Sequence, residues 1–357
     1  MKAKLLFFLP VALLLCLIPP AGAGAAYEPL GSSTTTIALA KPFASFLKTN
    51  GIKLSAVAPA QVRGAKLSLP LAEGKWDPTI GKGQIQSAGA IVFAKGARKL
   101  PLKDLTVKAN RNPLAAKVGG GQLKLATSKA IASRQAGFGS SFQAKQLLLT
   151  AKAATRLNKK LRPKVPFRVG QVLGTLKATS QPALIDVLPE GRLGLDPDPG
   201  FLAKLSSLFV SLNPVFPAER PGPFTFPIAA ASTISPDGTQ GTIRTEGELE
   251  MLLLGSGQLF WGEQWLDLWG GADLLAANLQ PAPPYPGKQE QAPLLTLSLS
   301  GAQIVPDPSN RSVSVQGASL SLTQTAADQL NQLLAGGKGV FGAGDGLGSV
   351  SFAAMGE

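Results

Sequence analysis

LLLTAKAATRLNKKL (residues 147–161) and LSLTQTAADQLNQLL (residues 320–334) agree at eight of fifteen positions, among them Leu149 with Leu322, Thr150 with Thr323, and Asn158 with Asn331. Beyond a one-residue gap, Phe167, Gly170, Leu173 and Gly174 meet Phe341, Gly344, Leu347 and Gly348. Upstream, LSLPL from Leu67 matches FTFPI from Phe224. A Pro/Asp turn follows in each, Trp76-Asp77-Pro78-Thr79 in one and Ser235-Pro236-Asp237-Gly238 in the other. Each turn then runs into a strand, Gly83-Gln84-Ile85 or Gly241-Thr242-Ile243. Similarity repeated in the same order marks a duplicated structural unit.

The residues of each copy alternate as half-buried strands do. Lys66-Leu67-Ser68-Leu69, Leu294 to Leu299 and Ser312-Val313-Ser314-Val315 all have period two. Thr150 and Thr323 stand where a helix N-cap belongs, ahead of Ala154, Leu157 and Leu161 in one copy and Ala327, Leu330 and Leu334 in the other. A further short helix is expected over Pro42 to Thr49, with proline in its first turn. The 40 glycines and 29 prolines supply the frequent turns that short strands need. The fold class expected is mainly β: two tandem antiparallel β-sandwich domains, each with one or two short helices.

The first residues read as an export signal. Lys2 and Lys4 precede the apolar run Leu5 to Ile18, Pro19-Pro20 breaks it, and small residues follow to Ala26. That order, with a run short for a bilayer, is a cleaved signal peptide rather than an anchor. The single cysteine, Cys16, lies inside that run, so the mature chain is expected to carry no thiol. The expected location is extracytoplasmic, at the cell envelope.

Charge separates the halves. Residues 27–182 carry 26 Lys/Arg against 4 Asp/Glu, whereas residues 183–357 carry 7 against 17. The expected organisation is a signal peptide (1–26), a basic β domain (33–179), a linker (180–191) and an acidic β domain (192–353). A surplus of 22 positive charges exceeds what solubility asks, so the basic half is expected to meet an anionic envelope polymer, or the acidic half of its own or another chain. No nucleic-acid-binding motif accompanies the charge, and export argues against such a partner.

Three segments of the first copy carry a resemblance to a known family: KPFASFL (41–47), SLPLAEGKWDPTIGKGQIQSAGAIVF (68–93) and LPLKDLTVKANRNPLAAKVGGGQLKL (100–125). With them the chain resembles the haem-transport-associated (Htaa) domain family of actinobacterial envelope proteins. The second copy repeats the series more loosely from Leu193 to Phe352. The resemblance implies exported β modules, some of which hold haem through a Tyr supported by His. In this chain Phe46 falls where that Tyr would, and Lys95-Gly96-Ala97-Arg98 replaces the expected Gly-His pair. The chain has no histidine, and its tyrosines are Tyr27 and Tyr285. Haem iron needs an axial His, Cys, Met or Tyr, so ligation of the family kind is not expected. No cofactor or metal is expected, haem being the one the resemblance suggests. A small hydrophobic or porphyrin ligand could still stack on aromatics, its acids meeting Lys or Arg.

The candidate ligand-binding residues are therefore Phe46, Lys95, Arg98 and Lys99, with a second group at Trp261, Trp265 and Trp269. On a strand, those tryptophans with Glu263 and Asp267 would share one face, a platform for a sugar or cation, or a packing surface. Without histidine or a mature thiol, and with no carboxylate pair singled out by spacing, the expectation is a binding protein and not an enzyme. The alternative is a structural envelope protein held electrostatically by its basic domain.

Overall fold

The computed structural model describes residues 27–220, 223–253, 257–268, 273–281 and 291–356. The first unit runs through β1 (Glu28–Leu39), α1 (Lys41–Thr49), β2 (Lys53–Val57), β3 (Gln61–Arg63), β4 (Lys66–Asp77), β5 (Lys82–Ser87) and β6 (Ala90–Lys95). It continues with β7 (Arg98–Lys108), β8 (Leu114–Val118), β9 (Gly121–Thr127), β10 (Ile131–Ala136), β11 (Gly139–Leu149), α2 (Ala151–Leu161) and β12 (Val172–Pro182). The second opens with β13 (Ile185–Asp186), β14 (Arg192–Pro197), α3 (Pro199–Ser207), β15 (Val210–Val215), β16 (Phe224–Pro227), β17 (Thr233–Ile234), β18 (Gly241–Arg244) and β19 (Glu248–Leu253). It ends with β20 (Gly257–Asp267), β21 (Asp273–Pro281), β22 (Gln291–Ser298), β23 (Gln303–Asp307), β24 (Ser312–Leu322), α4 (Gln324–Leu334) and β25 (Gly346–Met355).

The duplication read from the sequence is a duplication of topology. In the first unit β4, β1, β12, β11, β9, β8, β7 and β5 pair in that order, and β5 pairs β4 again. In the second, β16, β14, β25, β24, β22, β21, β20 and β18 follow the same order, and an Ile228–Thr245 bridge joins the ends. Every ladder is antiparallel. Each unit is mainly β, as expected, but its strands form one sheet that returns on itself, where a sandwich would have two separate sheets.

The closure comes from a long shared strand. β7 meets β6 with its first half and β5 with its second, and offers its other edge to β8. β20 does the same with β19, β18 and β21.

The helices close over these sheets for the reasons anticipated. The Thr150 hydroxyl accepts from Ala153 N and the Thr323 hydroxyl from Ala326 N, both at 3.2 Å. Each cap satisfies one of the free N–H groups at a helix start. Ala153, Ala154, Leu157 and Leu161 are buried from α2, and Ala326, Ala327, Leu330 and Leu334 from α4. The shared Asn then pins the following loop. Asn158 donates to Phe167 O and accepts from Phe167 N, while Asn331 does the same with Phe341. Gly174 and Gly348 have φ of 151° and 150°, and a Cβ at either would overlap a neighbouring strand's carbonyl oxygen. Only glycine permits that approach.

Residues 180–191, expected as a linker, are built into both units. They hold the end of β12 and all of β13, which pairs β17, and Ile185 and Val187 pack in the second core. Phe138, from the β10–β11 turn of the first unit, packs in that core too.

Candidate functional site

Phe43 and Phe46 project from α1, one buried and one half-buried. Phe43 stacks on Phe46 with ring centroids 6.2 Å apart, and Phe46 meets Phe167 edge-on at 5.0 Å. Asn50, just past the helix, accepts from Val165 N at 2.8 Å and so holds the 162–171 loop against α1. Between helix and loop lies an open notch of about 380 Å³, lined by Phe46, Val165, Pro166, Arg168, Val169 and Gly170 with Gln171. Val165 and Val169 are exposed, Val169 at 65%, so apolar surface here faces solvent.

The β6–β7 hairpin reaches the same loop. Lys95 Nζ donates to Arg162 O at 2.9 Å, while Arg98 and Lys99 stand exposed at its tip. The 162–171 loop therefore touches Phe46 on one side and Lys95 on the other. Sequence reasoning did not single out Val165 or Val169. The available signal was two valines set among Arg162, Lys164 and Arg168 in a stretch with no strand alternation.

The second unit builds the same corner differently. Phe201 on α3 meets Phe341 at 5.9 Å, as Phe43 meets Phe167 at 6.3 Å. Three residues on, where the first unit has Phe46, stands Lys204. Its ammonium pairs with Asp345 and lies 6.0 Å from the Phe341 ring centre. The Lys204 partner holds the Asp345 carboxyl below the usual carboxylate range, with help from Gly342 N.

Neither corner suits haem iron. Phe46 has no lone pair to give, and Lys204 is committed to Asp345 and Phe341. Among the described residues no group of three or more His, Cys, Asp or Glu is placed to hold a metal.

The expected tryptophan platform falls largely outside what the structure describes. Trp269 lies outside the described residues; Trp261 and Trp265 are on β20. Between Gly262 and Trp265, β20 carries one residue more than β21 opposite it. Leu259 and Leu266, an odd number of residues apart, are both buried. A bulge of this kind interrupts the regular period-two alternation of β20.

Fold and site together describe a protein of two tandem, ring-closed β units of one topology, each with a helix-capped aromatic corner. The chain is similar to the crystal structure of the N-terminal domain of HtaA from Corynebacterium glutamicum, at 17% identity over 48% of this chain and 99% of that one, TM-score 0.37. It is also similar to the C-terminal domain of the same protein, at 12% identity over 43% of this chain and 98% of that one, TM-score 0.34. No family model matches the chain, and no curated protein does. No helix among the described residues is long and apolar enough to cross a membrane.

Proposed function

We propose that the protein is an exported, non-enzymatic, HtaA-like binding module that acts at the cell envelope and takes an apolar or planar ligand bearing acidic groups. The observation that carries this reading is the notch beside Phe46, whose aromatic and valine surface is open to solvent and edged by Arg168. Such a site offers stacking and apolar burial for a ring system, with a cation for its carboxylates. Export is supported by the Lys2/Lys4, Leu5–Ile18 and Pro19-Pro20 pattern of the first residues. Binding without catalysis is supported by the lack of histidine and by the one cysteine lying within that segment.

Parallel titrations with hemin and iron-free protoporphyrin test it. Similar affinity for both, reduced by Phe46→Ala, is the expected result. A Soret signature of iron ligation, or failure of either porphyrin to bind, would count against it.

A second reading is favoured by the 26-to-4 charge imbalance of residues 27–182: a structural envelope protein held to anionic polymers by its basic unit. Release from isolated cell walls should then rise steeply with salt.

A further inference from the structure

The face of the first unit's sheet formed by β4, β5 and β7 carries a polar groove that neither aromatic corner shares. Its volume is about 770 Å³, and its lining includes Lys75, Lys82, Lys108, Gln84, Gln86 and Tyr27. We propose that this groove binds a linear anionic polysaccharide, its acidic groups on the three lysines and its hydroxyls on the amides. The proposal rests on the reading of the basic unit as an envelope-polymer binder, and assigns that role to one face of it.

Strand register places these side chains. Lys75 lies opposite Gln84, and Gln84 opposite Lys108, so the three form one row across three strands. Trp76, Ile85 and Val107, their neighbours in sequence, are buried, which turns the row outward. At the usual strand spacing the Lys75 and Lys108 roots stand about 10 Å apart, a distance that a disaccharide repeat spans. Glu73 lies opposite Gln86 in the next row, and Lys82 opposite Asp77 at the turn.

The charge at this face is uncommitted. Asp77 turns its Oδ1 inward to Thr79 N, Thr79 Oγ1 and Ile80 N, leaving Lys82 unpaired with it. None of Lys75, Lys82 and Lys108 is in an ion pair among the described residues, and Glu73 is the one carboxylate lining the groove. Three ammonium groups beside three amide side chains, Gln84, Gln86 and Asn110, form a surface that wants anions and hydroxyls together. Tyr27, at one side, offers a ring on which a sugar can stack.

The test titrates the mature chain with polygalacturonate, inorganic polyphosphate and dextran at about 50 mM salt, where surface attraction is strong. A Lys75→Gln/Lys82→Gln/Lys108→Gln variant is compared with Lys124→Gln/Lys129→Gln/Lys145→Gln, which removes the same charge from exposed positions on β9, β11 and the loop between β9 and β10. The proposal expects polygalacturonate affinity to fall at least roughly tenfold in the first triple and far less in the second. Tyr27→Ala should weaken polygalacturonate but leave polyphosphate unchanged. Equal losses in both triples, with the wild-type chain still binding, would overturn the groove while sparing polymer attachment by diffuse charge. No binding by the wild-type chain would remove both. Polyphosphate binding as tight as polygalacturonate, with polygalacturonate itself unaffected by Tyr27→Ala, would overturn the polysaccharide assignment. Light scattering that showed self-association through this face, abolished by the first triple, would overturn it in favour of a second copy.

Discussion

Arg311 of the second unit pairs with Glu28 at the start of β1, and both side chains are almost wholly buried. The Arg311 guanidinium also donates through Nη1 to Phe138 O at 2.7 Å, so one side chain ties the β10–β11 turn, the first strand and the second unit together. Burial pushes the Glu28 carboxyl up to about 7, against the lowering influence of the Arg311 charge and hydrogen bond. Asp186 and Asp77 add to the rise.

That carboxyl makes stability depend on pH. Its folded pKa lies above the ordinary 4.5, so between about 4.5 and 7 the folded chain holds more proton than the unfolded one. The stabilisation is complete below 4.5 and is lost as pH rises through 7. Denaturant midpoints measured from pH 4.5 to 8 should therefore contain a falling component that disappears in Glu28→Gln. An unchanged slope in that variant would count against the assignment.

Arg311→Met should cost more than an ordinary surface change, because it leaves the Glu28 carboxyl and Phe138 O buried without a donor. A loss of about 3 kcal/mol is expected, read from chemical denaturation at pH 8. Arg192→Met, which removes an exposed pair with Glu219, should cost under about 1 kcal/mol.

The Asn pins should matter equally in the two units. Asn158→Ala strands Phe167 N and O, and Asn331→Ala strands Phe341 N and O, while Val340 N keeps its bond to Lys338 O. Each is expected to cost about 2 kcal/mol or more. Gly174→Ala and Gly348→Ala, where a methyl overlaps the carbonyl of Ala38 or Asp196, should cost about 3 kcal/mol or more.

Phe209 should yield the opposite sign. It follows α3 with φ of 56° and is 72% exposed, while Gly51, after α1, has φ of 66°. Left-handed backbone costs a non-glycine residue about 1–2 kcal/mol, and glycine returns about 0.4–1 of that as unfolded-state entropy. Phe209→Gly is thus expected to stabilise by roughly 0.5–1 kcal/mol by thermal or chemical unfolding; destabilisation would mean that the ring is held by contacts of its own.

Much of the local structure was legible because it depends on neighbours in the chain. The Thr caps, the apolar stripes of α2 and α4, and the Asp77 and Asp237 turns appear where spacing placed them. The candidate corner was half legible. Phe46 and the Lys95 hairpin were singled out, but the valines that complete the notch reach it through a loop whose position Asn50 and Asn158 set. The inserted residue on β20 was not legible, because nothing at Gly262 to Trp265 announces which strand bulges.

By itself the sequence determined that the chain is doubled, β-rich, divided in charge and without histidine. These are matters of residue type and short-range periodicity. Only the tertiary structure decided that each sheet closes into a ring, that residues 180–191 belong to both units, and that Arg311 finds Glu28. Ring closure and ion pairing across the chain join residues far apart in sequence, and hydrophobic periodicity carries no information about which edge or which charge will meet which.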